Sequence, residues 1–178
     1  MSPQRPGDPA LDRASMLRVN QAGEYGATRI YAGQLAVLAK GSPAAHLIAR
    51  MASQEQRHLD RFNFLLAERK VRPTLLQPLW NVAGFALGAA TALLSEKAAM
   101  ACTEAVETEI DRHYGAQLDA LGTTDPELAA DIAEFRAEEL EHRDTARSAG
   151  AAEAPAYHLL TATIRAGCRL AIGLSKHI

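Results

Sequence analysis

The sequence has few of the residues on which several other classes of protein depend. It contains two cysteines, Cys102 and Cys168, and neither belongs to a CxxC motif. A disulfide framework is therefore excluded, and we expect both to be small core residues in a reducing compartment. Aromatic residues make up 5%, and β-branched runs are few, which favours an all-α fold over a sheet. The net charge is −2, and no motif combines basic with aromatic residues, so we expect no nucleic-acid partner.

Charge is missing from one long internal segment. Residues 73–95 include no charged side chain and are mostly apolar. An apolar run of about 20 residues can span a bilayer, but Pro78, Gly84 and Gly88 interrupt this one. We expect the segment to lie in the membrane interface or to pack on the fold while it touches lipid, with Trp80 at headgroup level. The alternative is a buried core helix.

The two ends of the chain also differ from the middle. Residues 1–13 are polar and lack the apolar region of a secretory signal, so we expect a disordered tail. In the segment 156–176 no acidic residue occurs, and the basic side chains are spaced along one helical face: His158, Arg165, Arg169 and Lys176. This pattern predicts an amphipathic helix that lies on an anionic membrane or docks on the rest of the fold.

Residues 14–178 are long enough for one domain with a substantial core. Gly and Pro punctuate this region near residues 41–43, 73, 122–126 and 150–155. The intervals predict four long helices, over about 14–40, 44–69, 96–121 and 126–148.

Two Glu-x-x-His pairs lie on these predicted helices. Glu55 and His58 form the first, Glu139 and His142 form the second, and no other histidine follows a glutamate at this distance. Residues three apart share one face of a helix, so both side chains of a pair can reach one point. For either pair alone, a solvated helical face is the simpler explanation.

A lone glutamate precedes each pair at nearly the same interval. Glu24 lies 31 residues before Glu55, and Glu107 lies 32 residues before Glu139, whereas Glu104 fits the interval less well. Such an internal repeat predicts two helical hairpins that face each other across a pseudo-two-fold axis. Helical bundles hold two metal ions with this ligand set, one Glu from each of two helices and a Glu-x-x-His from each of the others.

The environment of Glu24 also contains small residues. Gly23 and Gly26 flank it within a predicted helix, although glycine there costs about 1 kcal/mol relative to alanine. This indicates a tight helix crossing or access for a small molecule.

The predicted ligands suit iron or manganese and, if positions stay open, O₂. Burial among apolar helices would limit loss of the oxidant to water. With an apolar groove facing lipid, the sequence predicts an oxygenase or oxidase that acts on an apolar substrate. Two alternatives remain open: a soluble ferroxidase or peroxide-scavenging protein with the same ligands, and a metal-free helical adaptor.

Several motifs together resemble the demethoxyubiquinone hydroxylase family. The similarity covers about residues 17–176, and its motifs lie at 20–27, 30–34, 54–59, 78–88, 101–107, 138–142 and 166–169. The resemblance implies an all-α, ferritin-like four-helix bundle with two additional apolar or amphipathic helices, bound to a membrane surface.

The resemblance also implies the reaction. It predicts a di-iron monooxygenase that uses O₂ to hydroxylate the ring of 2-polyprenyl-3-methyl-6-methoxy-1,4-benzoquinol in ubiquinone biosynthesis. The two Fe²⁺ ions would be held by the same six residues that the spacing selects: Glu24, Glu55, His58, Glu107, Glu139 and His142. We expect Glu55 and Glu139, or Glu107, to bridge them, and electrons to come ultimately from NADH.

Three further residues match family positions near the quinone or its electron path: His113, Tyr114 and Tyr157. Without a transit peptide, the chain is expected at the cytoplasmic face of a bacterial inner membrane, as a peripheral protein. The sequence leaves open whether it forms a homo-oligomer or binds other proteins of ubiquinone biosynthesis.

Overall fold

A computed structural model describes residues 9–177 of the chain. Within them it contains six α-helices and no strand, and a short 3₁₀ turn at Ala151–Glu153 precedes the last helix. The helices are α1 Pro9–Val37, α2 Pro43–Glu68, α3 Gln77–Leu94, α4 Glu96–Leu121, α5 Pro126–Ser148 and α6 Tyr157–Ser175. Helices α1, α2, α4 and α5 form the four-helix bundle, and α3 and α6 are the two additional helices. The predicted all-α, ferritin-like fold is confirmed.

Local sequence signals explain most helix boundaries. The side chains of Ser42, Ser95 and Asp125 each accept a hydrogen bond from a backbone N–H in the first turn of the helix that follows. These caps satisfy donors that have no partner within the helix. Helices α4 and α5 have the predicted bounds. The first helix begins at Pro9 rather than near residue 14, and residues 1–8 of the expected tail lie outside the described part.

Helices α1 and α3 cross at very short range through glycines. A Cβ atom on Gly88 would overlap the carbonyl oxygen of Ile30, and one on Gly33 would overlap that of Phe85. Gly23 and Gly26 behave differently, since a Cβ on either would have no described atom within 4 Å. The close crossing nevertheless begins at the predicted place, since a Cβ on Gly84 would lie 3.0 Å from the carbonyl oxygen of Gly26, and it extends two turns further to Gly33. At Gly23 and Gly26, the alternative of access for a small molecule remains a prediction.

Two apolar clusters occupy opposite ends of the bundle. One contains Leu38, Ile48, Met51, Met100 and Ala146. The other contains Leu17, Phe62, Leu65, Leu128 and Ile132. The middle of the bundle is consequently closed from water on both sides, and it is there that the polar site described below lies.

Helix α3 is only half buried. Gly84, Gly88 and Thr91 face the bundle, whereas Val82 and Leu93 are 69% and 73% exposed. A buried core helix is thus the wrong description of the segment 73–95. No helix among residues 9–177 combines the length and hydropathy that crossing a membrane requires.

Helix α6 docks on the bundle by its basic face. Arg165 Nε donates to Glu109 Oε1 at 2.6 Å, and Arg169 Nη1 donates to the same oxygen at 2.9 Å. Glu109 on α4 is buried, so the two guanidinium groups supply its counter-charge. Docking was one of the two predicted roles for the basic face. The exposed side chains of α6 include large apolar ones, with Leu159 and Leu170 at 71% and 64%.

Candidate metal centre

Four helices bring the six predicted ligands to one buried place. These residues, here called the Glu/His cluster, are at most 2% exposed: Glu24 of α1, Glu55 and His58 of α2, Glu107 of α4, and Glu139 and His142 of α5. They form two overlapping groups, and within each group one ligand atom per residue lies within 4.8 Å of the others. The first group is Glu24, Glu55, His58 and Glu139, and the second is Glu55, Glu107, Glu139 and His142.

Both imidazoles turn the same ring atom toward the carboxylates. His58 Nδ1 lies 3.5 Å from Glu24 Oε2 and 3.2 Å from Glu139 Oε1. His142 Nδ1 lies 3.0 Å from Glu55 Oε1 and 3.2 Å from Glu139 Oε2. Because Glu55 and Glu139 belong to both groups, they stand between the two centres that the groups define.

The metal-free cluster cannot ionise all its carboxylates at neutral pH. Burial, and the nearby charge of Glu139, raise the pKa of Glu55 well above its usual range. Burial and Glu139 do the same for Glu107. Like charges in a water-free space disfavour ionisation in this way.

The two histidines respond differently to burial. Burial lowers the pKa of His58, but the close approach of the Glu139 and Glu24 carboxylates outweighs that effect and raises it to about 10. His142 has a lowered pKa because burial dominates there. The metal-free site thus balances its negative charge in part by a proton on His58.

The cluster fits two divalent cations. Among the described residues, six of its buried atoms have no hydrogen-bond partner: Glu24 Oε2, Glu55 Oε1 and Oε2, His58 Nδ1, Glu107 Oε2 and Glu139 Oε1. Buried polar atoms are rarely left without partners. Four carboxylates and two neutral imidazoles balance the charge of two divalent ions, and oxygen with imidazole nitrogen suits iron or manganese.

A second layer of side chains surrounds the cluster, and sequence reasoning did not assign it. Tyr31 donates to Glu107 Oε1 at 2.5 Å, and Tyr114 donates to Glu24 Oε1. The sequence does indicate that the two tyrosines correspond, since each follows the lone glutamate of its own half by seven residues. Each tyrosine nevertheless contacts the glutamate of the opposite half, which no local pattern reveals.

The three residues predicted near the quinone occupy different places. Tyr114 contacts Glu24 of the Glu/His cluster. His113 instead lies 2.7 Å from the amide of Gln117, and burial, with the charge of Lys176, lowers its pKa to about 4. The phenol of Tyr157 donates to a carboxylate outside the cluster, that of Glu104, at 3.0 Å. Roles for His113, Tyr114 and Tyr157 in quinone binding or electron transfer stay predictions.

The structure, like the spacing, assigns Glu107 rather than Glu104 to the cluster. Glu107 is fully buried in the cluster. Glu104 faces away, where it accepts from Arg147 Nε at 2.9 Å.

Fold and cluster together define a class, the ferritin-like bundle with a paired carboxylate and histidine site. A model of the family described as ubiquinone biosynthesis protein COQ7 matches residues 12–175. The chain therefore belongs to this family.

Relatives with assigned activities are similar along most of their length. The 3-demethoxyubiquinol 3-hydroxylase of Rhodospirillum rubrum is 55% identical, over 97% of this chain and 82% of the relative. The mitochondrial NADPH-dependent 3-demethoxyubiquinone 3-hydroxylase of Mus musculus is 54% identical, over 94% and 77%. The mitochondrial 5-demethoxyubiquinone hydroxylase of Saccharomyces cerevisiae is 46% identical, over 94% and 78%.

Proposed function

We propose that the chain is a di-iron monooxygenase that hydroxylates the ring of a demethoxy-polyprenyl benzoquinol in ubiquinone biosynthesis. One atom of O₂ enters the ring and the other leaves as water, with two electrons and two protons from a reductant. The observation that carries the proposal is the convergence of the Glu/His cluster into two overlapping groups. The hydroxylases among the relatives support the substrate and the reaction.

The residues of the chain have distinct parts in this proposal. Glu24 and His58 would hold one iron, Glu107 and His142 the other, and Glu55 and Glu139 would bridge them. Bound iron would supply the reductive activation of O₂. Tyr31 and Tyr114 fix the orientation of Glu107 and Glu24 by their hydrogen bonds.

Exclusion of water is the contribution of the surrounding bundle. The apolar clusters at its two ends leave the Glu/His cluster nearly inaccessible to solvent. Such burial would limit the loss of an oxidant to water before the ring is hydroxylated.

We propose a reduced nicotinamide nucleotide as the ultimate source of electrons. The family resemblance implies NADH, whereas the name of the mouse relative specifies NADPH. Parallel assays with each nucleotide, with the quinone as the electron carrier, would distinguish them.

Attachment to the membrane surface is also part of the proposal. Helices α3 and α6 each bury one face and expose apolar side chains on the other, among them Val82, Leu93, Leu159 and Leu170. The indole N–H of Trp80 donates to Ser175 Oγ at 3.1 Å and so joins the two helices. We propose that these faces enter the interface of the cytoplasmic leaflet of a bacterial inner membrane. Trp80, already hydrogen-bonded, would act there as a link rather than as a headgroup anchor.

The decisive experiment has a cellular and a chemical part. A strain without its demethoxyubiquinone hydroxylase should accumulate the demethoxy quinone, and this chain should clear it. Purified iron-loaded protein, given ¹⁸O₂ and the quinol, should add one ¹⁸O atom to the ring. A ferroxidase would oxidise iron without labelling the quinone, and an adaptor would bind less than about one iron per two chains; either result would overturn the proposal.

A further inference from the structure

The side chains that surround the Glu/His cluster each contact a candidate ligand from the opposite half of the chain. Residues of the first half contact candidate ligands of the second, and the reverse. Tyr31 and Tyr114 show this for the lone glutamates. The histidines show it as well, because His142 Nε2 lies 3.1 Å from Gln54 Oε1 and His58 Nε2 lies 3.0 Å from Glu138 Oε2.

Equivalent positions supply these partners, yet their chemistry differs. Gln54 and Glu138 each directly precede the glutamate of a Glu-x-x-His pair. Tyr31 and Tyr114 keep the pseudo-two-fold symmetry. Gln54 and Glu138 break it, since one is an amide and the other a carboxylate. The outer nitrogen of His58 thus faces an anion, and that of His142 faces a neutral oxygen.

Hydrogen bonds connect Gln54 and Glu138 into one network. Both histidines turn Nδ1 to the cluster, so Nε2 carries the outward proton. Gln54 accepts from His142 and donates Nε2–H to Glu138 Oε2 at 3.4 Å. Glu138 also accepts from Arg57 Nη2 at 3.1 Å, which holds it from the solvent side. A carboxylate at position 54 would repel Glu138 over this distance, which gives a physical reason for the amide.

We propose that Glu138 is a positioning residue that makes the two metal sites unequal. A carboxylate behind a ligating imidazole fixes its orientation and makes it a stronger ligand than a neutral partner does, and loss of such a partner typically costs 10-fold to 100-fold in metal affinity. The site that includes Glu24 and His58 therefore fills first, and the site that includes Glu107 and His142 fills second. This rests on the proposed function only in that the cluster binds two metal ions.

Anaerobic titration of the metal-free protein with Co²⁺ tests the proposal without any assay of activity. The unaltered chain should bind two ions in two steps at least 10-fold apart. In Glu138→Gln the first step should weaken about 10-fold to 100-fold, so that the two steps merge. Glu141→Gln is the matched control, since this exposed glutamate adjoins His142 in sequence and should leave both steps unchanged.

The order of filling is read from crystals that hold one equivalent of Co²⁺, by the anomalous signal at each site. The double variant Gln54→Glu/Glu138→Gln moves the carboxylate behind His142 and should reverse the order. Helical circular dichroism and thermal melting verify that each variant folds. Equal filling in the unaltered chain, or an unchanged separation in folded Glu138→Gln, would overturn the inference. Binding of no cobalt at all would overturn the proposed function and this inference with it.

Discussion

At the scale of single residues, the crowding of four buried carboxylates governs the behaviour of the metal-free chain. Burial and mutual repulsion raise the pKa of Glu55, Glu107 and Glu139. The repulsion between these buried carboxylates is unfavourable, and a bound cation would relieve it. Function and stability of the metal-free protein are consequently opposed at these positions.

The first prediction concerns Glu139, which belongs to both groups of the cluster. Glu139→Gln keeps the volume but removes one buried charge, so the metal-free variant should melt at the same temperature or a few degrees higher. It should bind less than one iron per chain and lose hydroxylation by at least 100-fold. His142→Ala, which alters one group only, should retain about one iron. Full iron content in Glu139→Gln would remove this residue from the centre.

The second prediction concerns pH. Since the folded metal-free chain holds protons on Glu55 and Glu107 that the unfolded chain releases, the stability they contribute is lost as pH rises above the usual carboxylate range. The melting temperature of the metal-free protein should therefore be lower at pH 8 than at pH 6. Metal binding displaces these protons, so metal affinity should change in the opposite direction and increase with pH.

Thermal melts with and without Zn²⁺ at both pH values would measure the two effects together. The control is the double variant Glu55→Gln/Glu107→Gln, in which the difference between pH 6 and pH 8 should shrink. A metal-free protein that is more stable at pH 8 would contradict the assigned pKa directions.

The cluster itself could be predicted from sequence, but its surroundings could not. Helical periodicity fixes which side chains share a face, and the repeat fixes which glutamates correspond, so six residues follow from spacing alone. Tyr31, Gln54 and Glu138 act across the interface between halves, and their contacts depend on how the hairpins pack. Only the folded structure contains that information.

At the scale of helices, the attachment of α3 depends on glycine rather than on apolar contact alone. Gly33 and Gly88 allow the backbones of α1 and α3 to approach closely. The missing charge of the segment 73–95 predicts that it lies against the fold or lipid, but it says nothing about how closely the backbones of α1 and α3 approach. The closeness of the crossing therefore had to come from the structure.

The third prediction tests this crossing. Gly88→Ala places a methyl group against the backbone of Ile30, and it should lower the free energy of unfolding by about 2 kcal/mol or more, as overpacking does. Gly167→Ala on α6 is the control, since its Cβ meets no described atom within 4 Å and alanine favours helix by up to about 1 kcal/mol. Equal melting temperatures for the two variants would show that α3 does not pack as described.

Of the two roles predicted for the basic face of α6, the structure shows docking on the bundle. Arg165 and Arg169 are engaged with Glu109 of α4. Charge reversal at both arginines would leave the buried carboxylate of Glu109 without these partners, which costs several kcal/mol. Weaker vesicle binding by such variants would therefore report loss of docking as well as loss of charge.

The fourth prediction uses the exposed apolar side chains instead. Leu159→Gln/Leu170→Gln alters two residues that are largely exposed, so stability should change by less than about 1 kcal/mol. Sedimentation of the unaltered chain with anionic liposomes should depend little on salt, and the double variant should sediment several-fold less. Glu134→Gln, which alters an exposed side chain of α5, serves as the control. Unchanged sedimentation would mean that these faces do not enter lipid.

At the scale of the whole molecule, the duplicated hairpin explains how a short chain builds a two-centre site. Each half provides one Glu and one Glu-x-x-His, and the bundle places both sets between two apolar ends. The fold class could be predicted because composition, punctuation and repeat agree with each other. The attachment of α3 and α6 could not, because an apolar or basic stripe does not specify which surface it contacts.

The most direct test of the account is an iron-edge anomalous difference map from crystals of anaerobically iron-loaded protein. The account predicts two peaks inside the bundle, one among Glu24, His58 and the two shared glutamates, the other among Glu107, His142 and the same two glutamates. A single peak, or peaks that lie away from these side chains, would contradict it.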